Sequence, residues 1–106
     1  MRGAKVLEKQ IEAKGGEFAK AEDVLHLKFT SPGHAAVPDR LLLAHIPEFL
    51  RPLIAKYVRF VEYKREGQKP TAAQEREHAR LRGLGFTVNV VDSVDGAKQV
   101  IRDMKC

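Results

Sequence analysis

The chain has 106 residues with 43% hydrophobic content, which is enough to bury one core, so we expect a single domain spanning residues 1–106. Nineteen Lys and Arg against 14 Asp and Glu give a net charge of +5, which favours polyanionic partners. The single cysteine, Cys106, excludes an internal disulfide and a cysteine-based zinc site. The chain lacks a signal-like N-terminus and a long apolar run, which predicts an intracellular, cytoplasmic protein with no membrane partner.

The first predicted elements are a helix and a strand. Apolar residues from Leu7 to Phe18 recur at helical spacing, but Gly15 and Gly16 are costly in a helix and predict a kink or break. Residues 24–30 then alternate between apolar and polar side chains. This alternation is typical of a half-buried strand.

Two further short strands are predicted at residues 41–43 and 57–64, with an insertion between them. The run from Ala44 to Lys56 has apolar residues at helical spacing and includes Arg51. We interpret it as a short helical insertion. A subunit contact, a DNA-facing flap and a simple hairpin cap are all open as its role.

The C-terminal part begins with a clearly marked helix. Thr71 is a predicted N-cap, and Gln74, three residues on, completes a capping-box pattern, whereas Gly85 ends the helix. Residues 86–91 predict a fourth strand, and Ser93 caps a final helix. The order α, β, β, β, α, β, α predicts an α/β fold with a mixed four-stranded sheet flanked by helices.

Asp39, Glu62 and Lys64 form the candidate chemical centre. Glu62 and Lys64 are two apart on a strand and therefore share a face. Phosphodiester hydrolysis needs oxygen ligands for Mg²⁺ and a cation near the scissile phosphate. The two carboxylates and the main-chain carbonyl of Tyr63 supply such ligands, and Lys64 can orient water or neutralise the phosphate. A turn at Asp39 and a solvated strand face are the alternative interpretation.

Four motifs lie in order along the chain. They are Leu27-Lys28-Phe29-Thr30-Ser31-Pro32-Gly33, Val37-Pro38-Asp39-Arg40, Phe60-Val61-Glu62-Tyr63-Lys64, and Pro70-Thr71-Ala72-Ala73-Gln74 followed by His78, Leu81, Gly85 and Phe86. Together, over Ile11 to Ser93, they resemble the VRR-NUC (virus-type replication-repair nuclease) domain of the PD-(D/E)XK superfamily. The resemblance implies a restriction-endonuclease-like core and a metal-dependent DNA nuclease.

The resemblance also implies roles for individual residues. Asp39, Glu62 and Lys64 keep the roles given above, and Gln74 matches the glutamine that follows the active-site strands, a role compatible with helix capping. A family glutamate of the first helix matches Glu12 as a further metal ligand and catalytic residue. One alternative and one histidine complete the set: Glu8 as the fallback for Glu12, and His78, for which helix packing is favoured over facing the site. The expected metal is Mg²⁺, with Mn²⁺ as a substitute.

Four polar or basic residues near the predicted site are candidates for gripping DNA phosphates: Ser31, His34, Arg40 and Lys69. Ordinary surface polarity is the alternative for each. The chain resembles stand-alone phage and bacterial members of the family, which implies a homodimer that cuts branched DNA as a four-way (Holliday) junction resolvase. A less selective flap or duplex endonuclease and a non-catalytic DNA-binding module of the same fold are the alternatives.

Overall fold

The computed structural model describes residues 7–33 and 36–105, and the chain divides into two compact units. Unit 1 ends at Ala44 and unit 2 begins at His45. The candidate residue His34 and the cysteine Cys106 lie outside the described residues. That residues 1–106 form one domain stays a prediction.

The described residues form four α-helices, four short strands and one 3-10 turn. In chain order these are α1 (Glu8–Ala21), β1 (Leu25–Lys28), β2 (Arg40–Leu43), the 3-10 turn (Glu48–Leu50), α2 (Arg51–Ile54), β3 (Phe60–Tyr63), α3 (Ala72–Leu84), β4 (Val88–Val91) and α4 (Val94–Lys105). The predicted mixed α/β order is confirmed, including the short helical insertion between the second and third strands. None of the described helices combines the length and the apolar character needed to cross a membrane.

The strands pair as two ladders. Within unit 1, β1 and β2 are antiparallel, and within unit 2, β3 and β4 are parallel. The described strands therefore do not pair as the single four-stranded sheet that the sequence predicted. Each strand is only four residues long, and the connection between β2 and β3 holds a helical insertion where a tight turn would have set a register.

In unit 1, α1 continues through Gly15 and Gly16 without the predicted break. A Cβ on Gly16 would lie 3.4 Å from Nδ1 of His26, and one on Gly15 would lie 3.8 Å from Nε2 of the same ring. The two glycines thus let β1 approach the helix closely. This packing offsets the roughly 1 kcal/mol that each glycine costs in a helix interior.

In unit 2, α3 connects the parallel strands β3 and β4. The predicted capping box is present, since the N–H of Gln74 donates to Oγ1 of Thr71 at 3.1 Å. Gly85 ends the helix in the left-handed conformation with φ of +104°, which favours glycine. The Phe60 and Phe86 rings meet edge to face at 5.8 Å beside the ladder.

Hydrogen bonds to main-chain carbonyls stabilise the insertion and connect it to the rest of unit 2. The N–H of Ile46 donates to the carbonyl of Leu84 at 2.7 Å, and Nε of Arg51 donates to the carbonyl of Ile46 at 3.0 Å. Nζ of Lys56 donates to the carbonyl of Asp103 at 2.9 Å. Both basic residues of the insertion therefore have structural partners. A subunit contact or a DNA-facing flap stays a prediction.

Candidate active site

Glu62 lies in a small pocket between the β3–β4 ladder and α3. The pocket has a volume of about 210 Å³, and its lining includes Phe60 and Val88 from the strands and Gln74 and His78 from the helix. Phe60, Val61 and Glu62 all contribute to the lining, so the predicted alternation along this strand stays a prediction. The Glu62 side chain is 28% exposed, so it is accessible from solvent but partly enclosed by protein.

Gln74 performs two tasks with one side-chain amide. Its Oε1 accepts a hydrogen bond from the N–H of Thr71 at 3.0 Å, which completes the helix cap. Its Nε2 donates to Oε2 of Glu62 at 3.2 Å. A main-chain donor on one side and a carboxylate on the other determine the orientation of the amide. The capping box thereby aims a donor at the candidate carboxylate.

His78 lies one turn after Gln74 and holds the other carboxylate oxygen. Its Nε2 lies 3.1 Å from Oε1 of Glu62, and since a carboxylate only accepts, this nitrogen carries the proton. His78 is only 5% exposed. The sequence interpretation favoured helix packing for this histidine, whereas the structure gives it a contact with Glu62 as well. The signal was its four-residue spacing from Gln74, which places both side chains on one helix face.

Lys64 follows Glu62 by two residues at the end of the ladder. Its main-chain N–H donates to the carbonyl of Val91 at 2.9 Å, and Phe60 donates in the same way to Thr87. Lys64 is half-buried as a residue, and its ammonium has no hydrogen bond or ion pair with any residue in 7–33 or 36–105. A lysine that is partly enclosed and lacks a structural anion is available for a bound anion.

The main-chain carbonyl of Tyr63, the predicted additional ligand, lies outside the β3–β4 ladder. Phe60 and Lys64 donate to β4, and main-chain groups alternate in direction along a strand. The carbonyl of Tyr63 therefore points to the opposite edge of β3. It is a hard oxygen that the parallel ladder leaves unused.

The other predicted carboxylates lie in unit 1, around an open pocket of about 510 Å³. Glu8, Glu12, His26, Asp39 and Arg40 are part of its lining. Asp39 directly precedes β2, and its main-chain carbonyl accepts from the N–H of Phe29 at 2.9 Å, which sets its position at the strand end. The structure thus brings Asp39 and Glu12 to one pocket, together with the fallback residue Glu8.

Glu12 and Arg40 form the shortest side-chain contact of unit 1 among the described residues. Nε of Arg40 lies 2.6 Å from Oε2 of Glu12. The hydrogen bond and the charge of Arg40 hold the pKa of Glu12 below its ordinary value of 4.5, with smaller contributions from His26 and Lys28. Arg40, predicted to bind a DNA phosphate, therefore already has an anionic partner. The remaining phosphate-binding candidates that the structure describes are half-buried Ser31 and exposed Lys69.

By donor chemistry, the predicted ligands fit Mg²⁺. The carboxylate of Asp39 has no hydrogen-bond partner within the described ranges, and each oxygen of Glu62 accepts a single bond, which leaves lone pairs for a cation. No group of three His, Cys, Asp or Glu side chains among the described residues is gathered closely enough to hold one metal ion. The predicted ligands instead occur as Glu12 with Asp39 in unit 1 and as Glu62 with the Tyr63 carbonyl in unit 2.

Comparison with known proteins gives one informative match. The chain is 47% identical over 68 residues to a protein of Acyrthosiphon pisum secondary endosymbiont phage 1 that is named "Putative nuclease p44". The aligned part covers 64% of this chain and 63% of the phage protein, which is less than two thirds of that protein's length. The chain matches no protein-family model. It also matches no solved structure.

Proposed function

We propose that this protein is a Mg²⁺-dependent nuclease of the VRR-NUC type that hydrolyses the phosphodiester backbone of DNA on a restriction-endonuclease-like core. The observation that carries the proposal is the environment of Glu62. Its two oxygens are held by Gln74 and His78, and Lys64, two residues on, has no structural anion within the described residues. The identity to the phage protein supports the general assignment as a nuclease.

In this proposal the Mg²⁺ ligands are Asp39 and Glu12 in unit 1 and Glu62 and the Tyr63 carbonyl in unit 2, and Mn²⁺ substitutes for Mg²⁺. When bound, the ion stabilises the negative charge that develops on the phosphate and lowers the pKa of a bound water. Lys64 neutralises the phosphate or orients the attacking water through its ammonium group. Gln74 and His78 act through Glu62, because their hydrogen bonds aim its lone pairs.

The partners of Glu62 support a role in binding a cation. An amide has no charge, and an imidazole has one only when it is protonated, so no permanent cation from residues 7–33 or 36–105 is paired with this carboxylate. A Lys or Arg beside a carboxylate would stabilise its charged form through an ion pair. Here the nearest lysine in sequence, Lys64, makes no such pair. An additional cation would therefore complete the site.

The preferred substrate in this proposal is branched DNA, which the protein cuts as a homodimer inside a bacterial or phage-infected cell. A four-way junction requires two symmetric nicks, and a two-fold dimer presents two equivalent sites to two strands. The net charge of +5 favours a polyanion without specifying its shape. Flap or duplex cleavage and non-catalytic DNA binding are the competing functions.

The decisive experiment measures cleavage of a labelled four-way junction, with linear duplex and flap substrates, in Mg²⁺ or EDTA. The variants are wild type, Lys64→Ala and the matched control Lys98→Ala, which removes an exposed lysine of α4. We expect paired, metal-dependent nicks on the junction that Lys64→Ala abolishes and Lys98→Ala retains.

The other outcomes separate the alternatives. Equal cleavage of all three substrates would contradict the assignment as a resolvase and support a less selective endonuclease. If the wild type binds the junction but does not cleave it in Mg²⁺ or in Mn²⁺, the assignment as an enzyme is wrong and a DNA-binding module is supported. Full cleavage activity in Lys64→Ala would contradict the proposed catalytic role of Lys64.

A further inference from the structure

The β1–β2 hairpin presents basic residues on one of its two faces. In the antiparallel register His26 lies opposite Leu42, and Lys28 lies opposite Arg40. Since residues two apart on a strand share a face, His26, Lys28 and Arg40 project to the same side. The opposite face carries the leucines Leu25, Leu27, Leu41 and Leu43. The hairpin thus separates its apolar face from a basic one.

Lys28 and Arg40 form an unfavourable cross-strand pair. The N–H of Phe29 donates to the carbonyl of Asp39, so residues 29 and 39 form a hydrogen-bonded pair, and the neighbouring Lys28 and Arg40 form a non-hydrogen-bonded pair. Such pairs are the closer kind, with Cα atoms about 4.5 Å apart. Like charges directly opposite each other destabilise a hairpin. Strand pairing alone therefore does not account for two cations at these positions.

The surrounding residues bind only one of these two cations directly. Glu12 binds Arg40, whose hydrogen bond and charge lower the pKa of that glutamate, with smaller contributions from His26 and Lys28. Lys28 itself is exposed and makes no hydrogen bond or ion pair within residues 7–33 and 36–105. Lys28 therefore acts on Glu12 only through its charge and has no directly bound protein anion among the described residues. An external anion would relieve the repulsion that the hairpin carries.

We propose that Lys28 and Arg40 bind a backbone phosphate of the nucleic acid next to Asp39, with His26 at the edge of the same site. The inference rests on the proposed function and adds a subsite to it, because Lys28 and His26 have no role in the catalytic set. A phosphate oxygen accepts strong, charge-assisted hydrogen bonds from both lysine and arginine. Asp39 and Arg40 line one pocket with His26, Glu8 and Glu12, whereas Lys28 is not part of its lining. A phosphate held by Arg40 would therefore lie at the rim of this pocket, beside a proposed metal ligand.

The test measures the affinity for a labelled duplex or junction as a function of salt concentration, in EDTA so that no strand is cut. Each phosphate contact adds about 0.9 to the slope of log K against log salt for duplex DNA. We expect Lys28→Gln to reduce the slope by about 0.9 and to weaken binding roughly fivefold to tenfold at 0.1 M salt. Lys28→Arg should retain the wild-type slope, as should Lys20→Gln, the matched control on exposed α1 surface.

A thermal-unfolding measurement separates binding from structure. Lys28→Gln removes a like-charge repulsion, so its melting temperature should equal or exceed that of the wild type. A lower melting temperature would mean that Lys28 has a structural role. An unchanged salt slope in Lys28→Gln, or an equal reduction in Lys20→Gln, would overturn the phosphate site.

The inference and the proposed function can fail separately. If the wild type cleaves DNA in Mg²⁺ but Lys28→Gln keeps the full salt slope, the nuclease stands and the phosphate site fails. If the wild type cleaves no DNA and Lys28→Gln still reduces the salt slope, the phosphate site is supported and the protein is a DNA-binding protein without nuclease activity. If the wild type binds no nucleic acid, both fail.

Free inorganic phosphate at equal ionic strength is the last arm of the test. Competition of phosphate with DNA in the wild type and in Lys28→Arg, together with its loss in Lys28→Gln, would support a phosphate-selective site. Equal competition in all three proteins would mean that the phosphate binds elsewhere, and the site would fail.

Discussion

Glu12 in unit 1 and Glu62 in unit 2 are two carboxylates of the proposed metal set, and their surroundings differ. Glu12 is bound by a permanent cation, Arg40, at 2.6 Å, and its side chain is 39% exposed. Glu62 is bound by the amide of Gln74 and the imidazole of His78, and its side chain is 28% exposed. Arg40 offsets the negative charge of Glu12, whereas the amide of Gln74 only orients the carboxylate of Glu62.

This difference indicates which of the two carboxylates is better suited to bind a metal ion. Glu62 is not bound by a Lys or Arg of the described residues, and its lone pairs are aimed by two donors on one helix. A cation at Glu12 must compete with Arg40 or share the carboxylate with it. We therefore expect Glu62 to contribute more to metal binding than Glu12, although both are proposed ligands.

The largest expected effect is that of Glu62→Gln on cleavage. The change retains the shape of the side chain but removes its charge, and we expect at least about a 100-fold loss in the single-turnover rate in Mg²⁺, comparable with the loss of one strong electrostatic group at an active site. Glu12→Gln should cost less, about tenfold. The control is Glu77→Gln, which lines the same pocket but is paired with Arg80. Equal losses of cleavage rate in the Glu62 and Glu12 variants would contradict the expectation that Glu62 contributes more to metal binding.

The second effect concerns His78, which supports Glu62 without reaching the substrate. Replacement of groups that orient a metal ligand typically costs 10-fold to 100-fold in metal affinity. We expect His78→Ala to raise the Mg²⁺ concentration for half-maximal cleavage by that factor, whereas His78→Gln, which keeps a donor, should restore part of it. Calorimetric titration with Mn²⁺ gives a readout that does not depend on activity. If His78→Ala has a lower melting temperature but an unchanged metal affinity, His78 contributes to packing and not to metal binding.

The third effect compares glycines in the two units. A Cβ at Gly85 would lie 2.6 Å from Nε of Arg51, and φ is +104°, so Gly85→Ala should lower the free energy of unfolding by about 2 kcal/mol. Gly83→Ala, on the same helix, has no neighbour within 4 Å and should stabilise the protein by about 0.5 kcal/mol. Gly16→Ala in unit 1 should be nearly neutral, since a Cβ there would meet only the His26 ring, at 3.4 Å. Chemical denaturation measures all three. Equal effects of the Gly85 and Gly83 changes would contradict the close approach at Gly85.

The smallest effect is the acid dependence of the Glu12 contact. Its folded-state pKa is lowered by Arg40, so the stabilisation is fully present above the ordinary value of 4.5 and is lost as the pH falls through the lower folded value. The difference in unfolding free energy between wild type and Glu12→Gln should therefore be largest near neutral pH and vanish in acid. Denaturation curves across this range provide the measurement. A difference that grows as the pH falls would have the wrong sign for this ion pair.

Local chemistry could be predicted from the sequence to a large extent. The Thr71 and Gln74 capping box, the left-handed Gly85 and the helical insertion follow from short-range patterns that need no distant partner. These features are confirmed because the responsible interactions span at most a few residues.

Contacts between distant elements could not be predicted in this way. The spacing of His78 from Gln74 indicated a shared face, but only the packing of α3 on β3 showed that His78 binds Glu62. Arg40 was predicted to be a phosphate ligand, and its pairing with Glu12, 28 residues away, depends on how α1 packs on the hairpin. Residues far apart in the chain meet through tertiary packing, which single-residue patterns do not encode.

The sequence by itself thus determined the order of helices and strands, the caps and the set of candidate carboxylates and cations, since each depends on residue type and on spacing along one element. Only the tertiary structure decided that α1 runs through two glycines, because the space they leave is filled by His26. It also decided the pairing of strands into two ladders and the choice between a charged and an uncharged partner for each glutamate. Those outcomes depend on which surfaces pack together, and that is a property of the whole folded unit.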